Sequence, residues 1–112
     1  MIDLDFNKND DKMRLLISEM KNIKSKILMG GGKEKLKKQH LQNKLTVRER
    51  IDFLKDDDAD FLEIGCFAGY KMYEKYGGCP SGGVVAGITH IEKKQCIIVA
   101  NDSTVKAGAW FP

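Results

Sequence analysis

The amino-acid sequence predicts an α/β fold in which helices near the N-terminus precede a β-hairpin. The first observation is an apolar stripe between positions 13 and 27, whose residues recur at the alternating spacings of an amphipathic helix. The second is a pair of apolar runs, 84–91 and 96–100, separated by the polar segment 92–95, as is typical of a hairpin. At 112 residues and 42% hydrophobic, the chain has the size of one small domain.

The first predicted helix follows a polar lead-in and carries one apolar face. That face consists of Met13, Leu16, Met20, Ile23 and Ile27. No apolar run in the sequence is long enough to cross a bilayer. We therefore expect this face to pack in the core or against another subunit rather than against lipid.

A glycine segment, Gly30-Gly31-Gly32, is predicted to end this helix, and a second helix is expected over residues 33–43. The glycines and Lys33 are similar to a phosphate-binding loop, but no strand precedes them and Glu34 stands where Ser or Thr would bind magnesium. We interpret them as a break between helices. His40 has no second ligand at metal-binding spacing, so we predict a hydrogen-bonded structural histidine.

A third helix is predicted to begin with a capping box. Thr46 is followed three residues later by Glu49, so each side chain can bond the other's backbone N–H. The acidic segment Asp56-Asp57-Asp58 is expected to end this helix in a loop. The apolar side of the helix consists of Val47, Ile51 and Leu54.

Residues 61–64 are predicted to form a strand, after which aromatic residues recur along the chain. These residues are Phe67, Tyr70, Tyr73 and Tyr76. They could stack on nucleic-acid bases, but the same spacing suits packing within the protein, which we favour. The glycine-rich segment 77–83 is predicted to be a loop.

The unbroken apolar run Cys96–Ala100 is predicted to be a strand buried on both faces. It ends in Asn101-Asp102-Ser103, residues that close turns with their own side chains. The small residues Ala107, Gly108 and Ala109 follow and allow close approach of a backbone or a ligand. A binding site at this strand end and an ordinary turn after a core strand both fit the pattern.

Charged residues are unevenly distributed, although the net charge is only +3. Lysines and arginines concentrate between positions 33 and 50, and aspartates follow between 52 and 60. The two groups can offset each other as solvated faces. The alternative is a phosphate-facing surface for nucleic acid or a nucleotide-bearing cofactor.

The three cysteines form no Cys-x-x-Cys pair, which argues against a zinc site or a disulfide framework and favours a reducing compartment. The acidic N-terminus lacks the basic character of a signal or transit peptide. We therefore predict a soluble, cytoplasmic protein that makes no use of a membrane.

Three segments, taken in order, resemble a known family. They are Gly30–His40, Lys44–Ile51 and Ala100–Lys106. Together they resemble the opening of the carboxyltransferase (beta) subunit of biotin-dependent acyl-CoA carboxylases, of the methylcrotonyl-CoA or propionyl-CoA type. The ending Thr104–Pro112 is most similar to the methylcrotonyl-CoA branch.

The resemblance implies a partial crotonase-like fold. Residues 1–29 would be a lead-in and amphipathic helix, and residues 30–112 the truncated start of an N-terminal acyl-CoA carboxyltransferase domain. The resemblance also implies transfer of a carboxyl group from carboxybiotin to the α-carbon of an acyl-CoA. The chain by itself is expected to be inactive, since the glycine pairs of the oxyanion holes lie further along in the family. Asn43 and Ala107 stand where the family commonly has glycine.

The cofactors and partners implied by the resemblance are biotin, carried by a partner, and coenzyme A as part of the substrate. The partners would be an acyl-CoA, a biotin carboxylase or biotin carrier subunit, and further copies of the same subunit in a homo-oligomer. No catalytic residue and no metal ligand is predicted within this chain.

The loop after the last strand is expected to lie beside the CoA groove, with Lys106, Ala107 and Gly108 in contact with the cofactor. Residues that emerge at a strand end lie where open α/β folds commonly bind ligands, and the resemblance favours the same place. Lys106 could pair with a CoA phosphate as a point charge. The alternative is a tight turn packed on the next layer, with Lys106 in solvent.

Two other functions fit the sequence. One is an independent basic module that binds nucleic acid through residues 33–50. The other is a truncated interaction protein that docks on a complete carboxylase through the apolar stripe at 13–27.

Overall fold

The computed structural model describes residues Ile2–Pro112. Three helices come first: α1 (Ile2–Ile27), α2 (Lys33–Leu41) and α3 (Val47–Leu54). The strands of the single sheet are β1 (Leu62–Ile64), β2 (Val84–Ile91) and β3 (Lys94–Asn101). Short 3-10 turns lie at Glu74–Tyr76, Pro80–Gly83 and Lys106–Gly108. The predicted α/β class, with helices before a hairpin, is confirmed.

Helix α1 includes most of the segment that we expected to be a polar lead-in, so that prediction was wrong for residues 2–12. Asp3 and Asp5 lie in the first turn, where carboxylates interact favourably with the N-terminal end of the helix dipole. Arg14 Nε lies 2.8 Å from Asp10 Oδ2 one turn away. These local interactions favour helix in a segment that lacks a continuous apolar face.

Most of α1 stands away from the rest of the molecule. Of its apolar face, Ile27 is buried and Ile23 is half-buried, whereas Met13, Leu16 and Met20 are exposed. The face therefore packs into the core only at its C-terminal end. Within residues 2–112, no helix has an apolar stretch of the length that a bilayer span requires.

The glycine segment separates α1 from α2 as predicted, and α2 ends at Leu41, slightly before the predicted end. Asn43 has a φ of 56°, a left-handed conformation that cannot continue an α-helix. His40 Nε2 lies 2.9 Å from Glu49 Oε1. The prediction of a hydrogen-bonded histidine is confirmed.

Helix α3 begins at the predicted capping box. The Glu49 N–H donates to Thr46 Oγ1 over 3.3 Å, and the Thr46 N–H donates to Glu49 Oε2 over 2.7 Å. The bond from the Thr46 backbone, followed by the one from His40, lowers the pKa of the Glu49 carboxyl below its ordinary value. The cap therefore keeps Glu49 in the charged form that accepts these bonds.

Replacing Thr46 with alanine is expected to lower the free energy of unfolding by roughly 1 kcal/mol, because the Glu49 N–H loses its acceptor. Thr46→Ser keeps the hydroxyl and should match the wild type. Urea denaturation of the three proteins measures the difference. Equal midpoints for wild type and Thr46→Ala would show that the cap contributes nothing.

One face of the sheet packs on α3. The central strand, β2, pairs antiparallel with both β1 and β3. Val85 of β2 forms the buried core with Val47 and Ile51 of α3. Residues that pack around this core are Phe61, Ile98 and Ala100. Burial therefore alternates along the strands according to which side faces α3.

Strand β3 is exposed on its other face, so the prediction that Cys96–Ala100 is buried on both faces was wrong. Ile97 is 76% exposed and Val99 is 63% exposed. An apolar run does not reveal how many faces of a sheet are covered, and within the described residues α3 packs on one side only. Leu62 and Ile64 of β1 are also exposed.

The turn between β2 and β3 is shorter than the predicted loop 92–95, because Ile91 already pairs with Lys94. Glu92 and Lys93 have φ values of 48° and 65°, a left-handed geometry that usually selects Asn and Gly. The Asp56 carboxylate accepts hydrogen bonds from both N–H groups, at 2.7 and 2.8 Å. The Asp56 carboxylate thus stabilises a turn that has neither Asn nor Gly at its left-handed positions.

Candidate functional site

The loop that follows β3 is fixed by a buried aspartate. Asp102 is 7% exposed, and its N–H donates to Gly83 O over 2.9 Å. Its Oδ1 accepts from the Thr104 N–H at 2.9 Å and from the Thr104 hydroxyl at 2.6 Å. The side chain of Asp102 thus closes the turn, as predicted for the residues after this strand.

The glycine segment packs directly on this loop. The Gly31 N–H donates to Thr104 Oγ1 over 2.9 Å. A Cβ on Gly31 would lie 2.0 Å from Thr104 O, and one on Gly30 would lie 2.5 Å from Asp102 Oδ2. The segment is therefore more than a helix break, because its missing side chains let two loops meet. Sequence reasoning missed this contact, although three adjacent glycines were a signal of close approach.

The predicted CoA-binding residues form a turn of unusual backbone. Lys106, Ala107 and Gly108 have φ values of 45°, 53° and 86°, so three successive residues are left-handed. This conformation is costly for lysine and alanine, and such strain is often found at functional sites. Asn101 Nδ2 donates to Gly108 O over 2.9 Å and holds the turn against the end of β3.

The hydrogen bonds within this turn are donated by the backbone N–H groups of Val105, Gly108 and Ala109. Within residues 2–112, no acceptor is found for the N–H groups of Lys106 and Ala107. Two neighbouring backbone donors are therefore available to an oxygen atom of a ligand.

Aromatic rings lie next to this turn. The Tyr73 and Phe111 rings are stacked, with centroids 4.4 Å apart and 24° between planes. Tyr76 lies 5.9 Å from the same ring. The Tyr73 hydroxyl donates to Pro112 O, and Lys106 Nζ lies 4.1 Å from the Phe111 ring centroid. The predicted packing is confirmed for Tyr73, whose partner is the C-terminal end of the described chain, whereas Tyr76 touches the same ring but is 72% exposed.

A cleft of about 730 Å³ separates the glycine segment from these aromatic rings. Lys35 and Lys106 both line it, together with Tyr73, Tyr76 and Phe111. An ammonium group can pair with a phosphate, and an aromatic ring can stack on a planar base. The lining thus combines ammonium groups and aromatic rings at one cleft. Ala107 lines a neighbouring cleft of about 420 Å³, shared with Lys35 and other residues of α2.

The basic segment 33–50 does not present all its charges to solvent. Arg48 forms a two-point ion pair with Glu63, with Nη1 to Oε2 at 2.7 Å and Nη2 to Oε1 at 2.9 Å. Burial acts to lower the pKa of Arg48, but the hydrogen bonds and charge of Glu63 outweigh it and raise that pKa. Arg48 therefore ties α3 to β1 and is not available to a nucleic-acid phosphate.

The three cysteines are free thiols, and burial raises the pKa of Cys66 and of Cys79 above the ordinary value. Both thiols therefore stay protonated at neutral pH, which does not suit a nucleophile. Among residues 2–112, no group of three or more His, Cys, Asp or Glu side chains is placed to bind a metal ion.

The loop after β3 and the aromatic rings beside it lie within a segment that matches a known family. Residues 38–112 match the family model described as the carboxyl transferase domain. The chain belongs to this family. The resemblance to carboxyltransferase subunits of acyl-CoA carboxylases, inferred from three sequence segments, is thereby confirmed.

Relatives of this carboxyl transferase domain chain include carboxylase beta chains from plants and bacteria. The methylcrotonoyl-CoA carboxylase beta chain, mitochondrial, of Arabidopsis thaliana is 42% identical over 107 residues, which is 96% of this chain and 18% of the relative. The biotin-dependent 3-methylcrotonyl-coenzyme A carboxylase beta1 subunit of Mycobacterium tuberculosis is 39% identical over 91% of this chain and 19% of its own length. The chain thus spans less than a fifth of the length of these relatives.

Solved structures of the same kind superpose on this carboxyl transferase domain chain. The beta subunit of geranyl-CoA carboxylase from P. aeruginosa gives a TM-score of 0.80 at 30% identity, over 94% of this chain and 19% of that one. Transcarboxylase 12S, with methylmalonyl-coenzyme A and methylmalonic acid bound, gives a TM-score of 0.77 at 31% identity. The match covers 87% of this chain and 19% of that one. The predicted partial crotonase-like fold is confirmed.

Proposed function

We propose that this chain is part of a carboxyltransferase that moves a carboxyl group from carboxybiotin to the α-carbon of an acyl-CoA. The single observation that carries the proposal is the match of residues 38–112 to the carboxyl transferase domain. In this proposal residues 1–29 precede the domain, and residues 30–112 form its start. The acyl-CoA is of the methylcrotonyl-CoA or propionyl-CoA type, in keeping with relatives named for each.

Within this activity, the loop after β3 would bind coenzyme A. Lys106 lines the cleft between the glycine segment and the aromatic rings, which supports an ion pair between its ammonium group and a CoA phosphate. The unused N–H groups of Lys106 and Ala107 suit an oxygen acceptor, such as a phosphate oxygen or a thioester carbonyl. Gly108 completes the turn that presents them.

The adenine of CoA would lie against the aromatic side of the same cleft. Tyr76 lines it and is 72% exposed, so its ring is accessible, and stacking on a ring tolerates any planar base. Lys35, on the opposite wall, adds a second positive charge for the phosphates. The cleft volume of about 730 Å³ lies within the range of small-molecule sites.

The carboxyl donor in this proposal is biotin carried by a separate biotin carboxylase or biotin carrier subunit. The proposed assembly is a homo-oligomer of the complete subunit, in keeping with the hexamer described for transcarboxylase 12S. Cytoplasmic location stays a prediction, and the Arabidopsis relative is named as mitochondrial.

The proposal is tested by titrating the chain with methylcrotonyl-CoA and propionyl-CoA in a calorimeter. Lys106→Ala is expected to raise Kd about ten-fold, because a charge-assisted bond to phosphate is lost, and to leave Tm unchanged. The control is Lys94→Ala, which removes an equal charge at the exposed start of β3. An unchanged Kd in Lys106→Ala would place that lysine outside the CoA site. If inorganic phosphate at the same concentration displaced the acyl-CoA completely, the proposal of a specific CoA site would be refuted.

A further inference from the structure

The exposed part of α1 continues the apolar stripe further than the sequence pattern suggested. With Phe6 included, the positions of this stripe recur in alternating steps of three and four, the spacing of a coiled-coil seam, and Asn9 is its one polar position. Phe6 is 67% exposed, Met13 is 56% exposed and Leu16 is 51% exposed. The exposed seam consists of Phe6, Asn9, Met13, Leu16 and Met20. It continues to Ile23, which is half-buried, and ends before Ile27, which is buried in the chain's own core.

We propose that α1 pairs with α1 of a second copy of this chain in an antiparallel coiled coil. In the register we infer, Met13 lies level with Leu16 of the second copy, and Phe6 with Ile23. Asn9 is the one polar residue of the seam and lies level with Met20. Asn9 meets no amide across the seam in this register, so the charged flanks, rather than a polar pair within the seam, set the register.

The charges beside the seam select this arrangement. One flank carries Asp5, Lys12, Glu19 and Lys26. In the antiparallel pair the same flanks meet, so Lys12 faces Glu19 of the second copy and Asp5 faces Lys26. On the other flank Asp3 faces Lys24, and Asp10 faces the uncharged Ile17. Every contact between two charged residues thus joins opposite charges.

A parallel pair would be less favourable. It would bring Asp5 beside Asp10 of the second copy and Lys12 beside Ile17, leaving only Glu19 with an opposite charge, on Lys24. Antiparallel pairing also sets the acidic first turn of each helix beside the basic last turn of the other, so the helix dipoles oppose each other as well.

A cleft near Ile23 could receive the ring of Phe6 from the second copy. A cleft of about 370 Å³ lies between the end of α1 and the segment 68–81, with Ile23, Ile27 and Tyr70 in its lining. Because Phe6 of the second copy is level with Ile23, its ring would lie at the mouth of this cleft. The pair would thereby cover the apolar surface that α1 leaves exposed.

Sedimentation equilibrium of the 112-residue chain tests the pairing, which does not depend on CoA binding. We expect a reversible dimer. Leu16→Asp should make the chain monomeric, so that its Tm no longer depends on protein concentration, while the folded core is kept. Leu15→Asp is the matched control, because Leu15 is 70% exposed but lies off the seam, and it should leave the dimer intact. A monomer at all concentrations, or a dimer that tolerates Leu16→Asp, would refute the proposal.

Charge exchange then tests the orientation. Lys12→Glu and Glu19→Lys should each weaken the dimer about ten-fold, because each places like charges in contact twice. The double variant restores opposite charges and should recover the wild-type Kd. In a parallel pair the double variant would stay as weak as Glu19→Lys alone, and that result would overturn the antiparallel arrangement. Neither residue has a charged neighbour of opposite sign one turn away within α1, so circular dichroism should show unchanged helicity.

Discussion

Replacing Gly31 with alanine is expected to lower the free energy of unfolding by about 3 kcal/mol, because its Cβ would make the shortest contact of any glycine of the described chain. The new Cβ would lie 2.0 Å from the Thr104 carbonyl oxygen, which is backbone and cannot turn aside. The glycine segment and the loop after β3 would have to separate. Urea denaturation followed by circular dichroism measures the loss.

The control for this prediction is Gly77→Ala. Gly77 has a φ of 88°, but no atom lies within 4 Å of the position its Cβ would take. Alanine there is expected to cost about 1 kcal/mol from backbone strain alone. If Gly31→Ala and Gly77→Ala prove equally stable, the close contact with Thr104 contributes nothing.

Replacing Arg48 with methionine is also expected to cost about 3 kcal/mol, because it leaves the Glu63 carboxylate without its partner. The Glu63 side chain is only 12% exposed, so water can solvate the unpaired charge only in part. The pair joins α3 to β1, and its loss should loosen the contact between helix and sheet.

The double variant Arg48→Met, Glu63→Met separates the loss of the ion pair from the exposure of a lone charge. We expect it to lie within about 1 kcal/mol of the wild type, since apolar residues of similar volume often replace a buried ion pair without loss. A double variant as unstable as Arg48→Met would show that packing at these positions, rather than the unpaired carboxylate, controls stability.

The elements that sequence alone predicted are those fixed by local interactions. The capping box at Thr46 and Glu49 places the start of α3, and the apolar period places the part of α1 from Met13 to Ile27. The predictions that were wrong concern features that depend on residues elsewhere in the chain. Nothing in Cys96–Ala100 itself shows that only one face meets α3, and nothing in Glu92-Lys93 shows that Asp56 lies beneath the turn.

Only the part of the candidate site that depends on local interactions could be predicted from the sequence. Asn101 and Asp102 mark the turn after β3, since their side chains bond nearby backbone groups. The facing wall of the cleft comes from residues far away in sequence, the glycine segment and the rings of Tyr73 and Phe111. The glycine segment and the recurring aromatic residues were both recognised in the sequence. That they line the same cleft depends on tertiary packing, which the sequence pattern does not reveal.

The Asp56 contact with the hairpin turn also bears on how the protein folds. Two left-handed residues that are neither glycine nor asparagine make Glu92-Lys93 a poor nucleus for a hairpin. Asp56, 36 residues earlier, supplies the carboxylate that accepts from the N–H groups of this turn. We therefore expect sheet formation to depend on closure of a long loop and to be slower than that of a hairpin that forms on its own. Substitutions at Asp56 should then change the folding rate of the sheet as well as its stability.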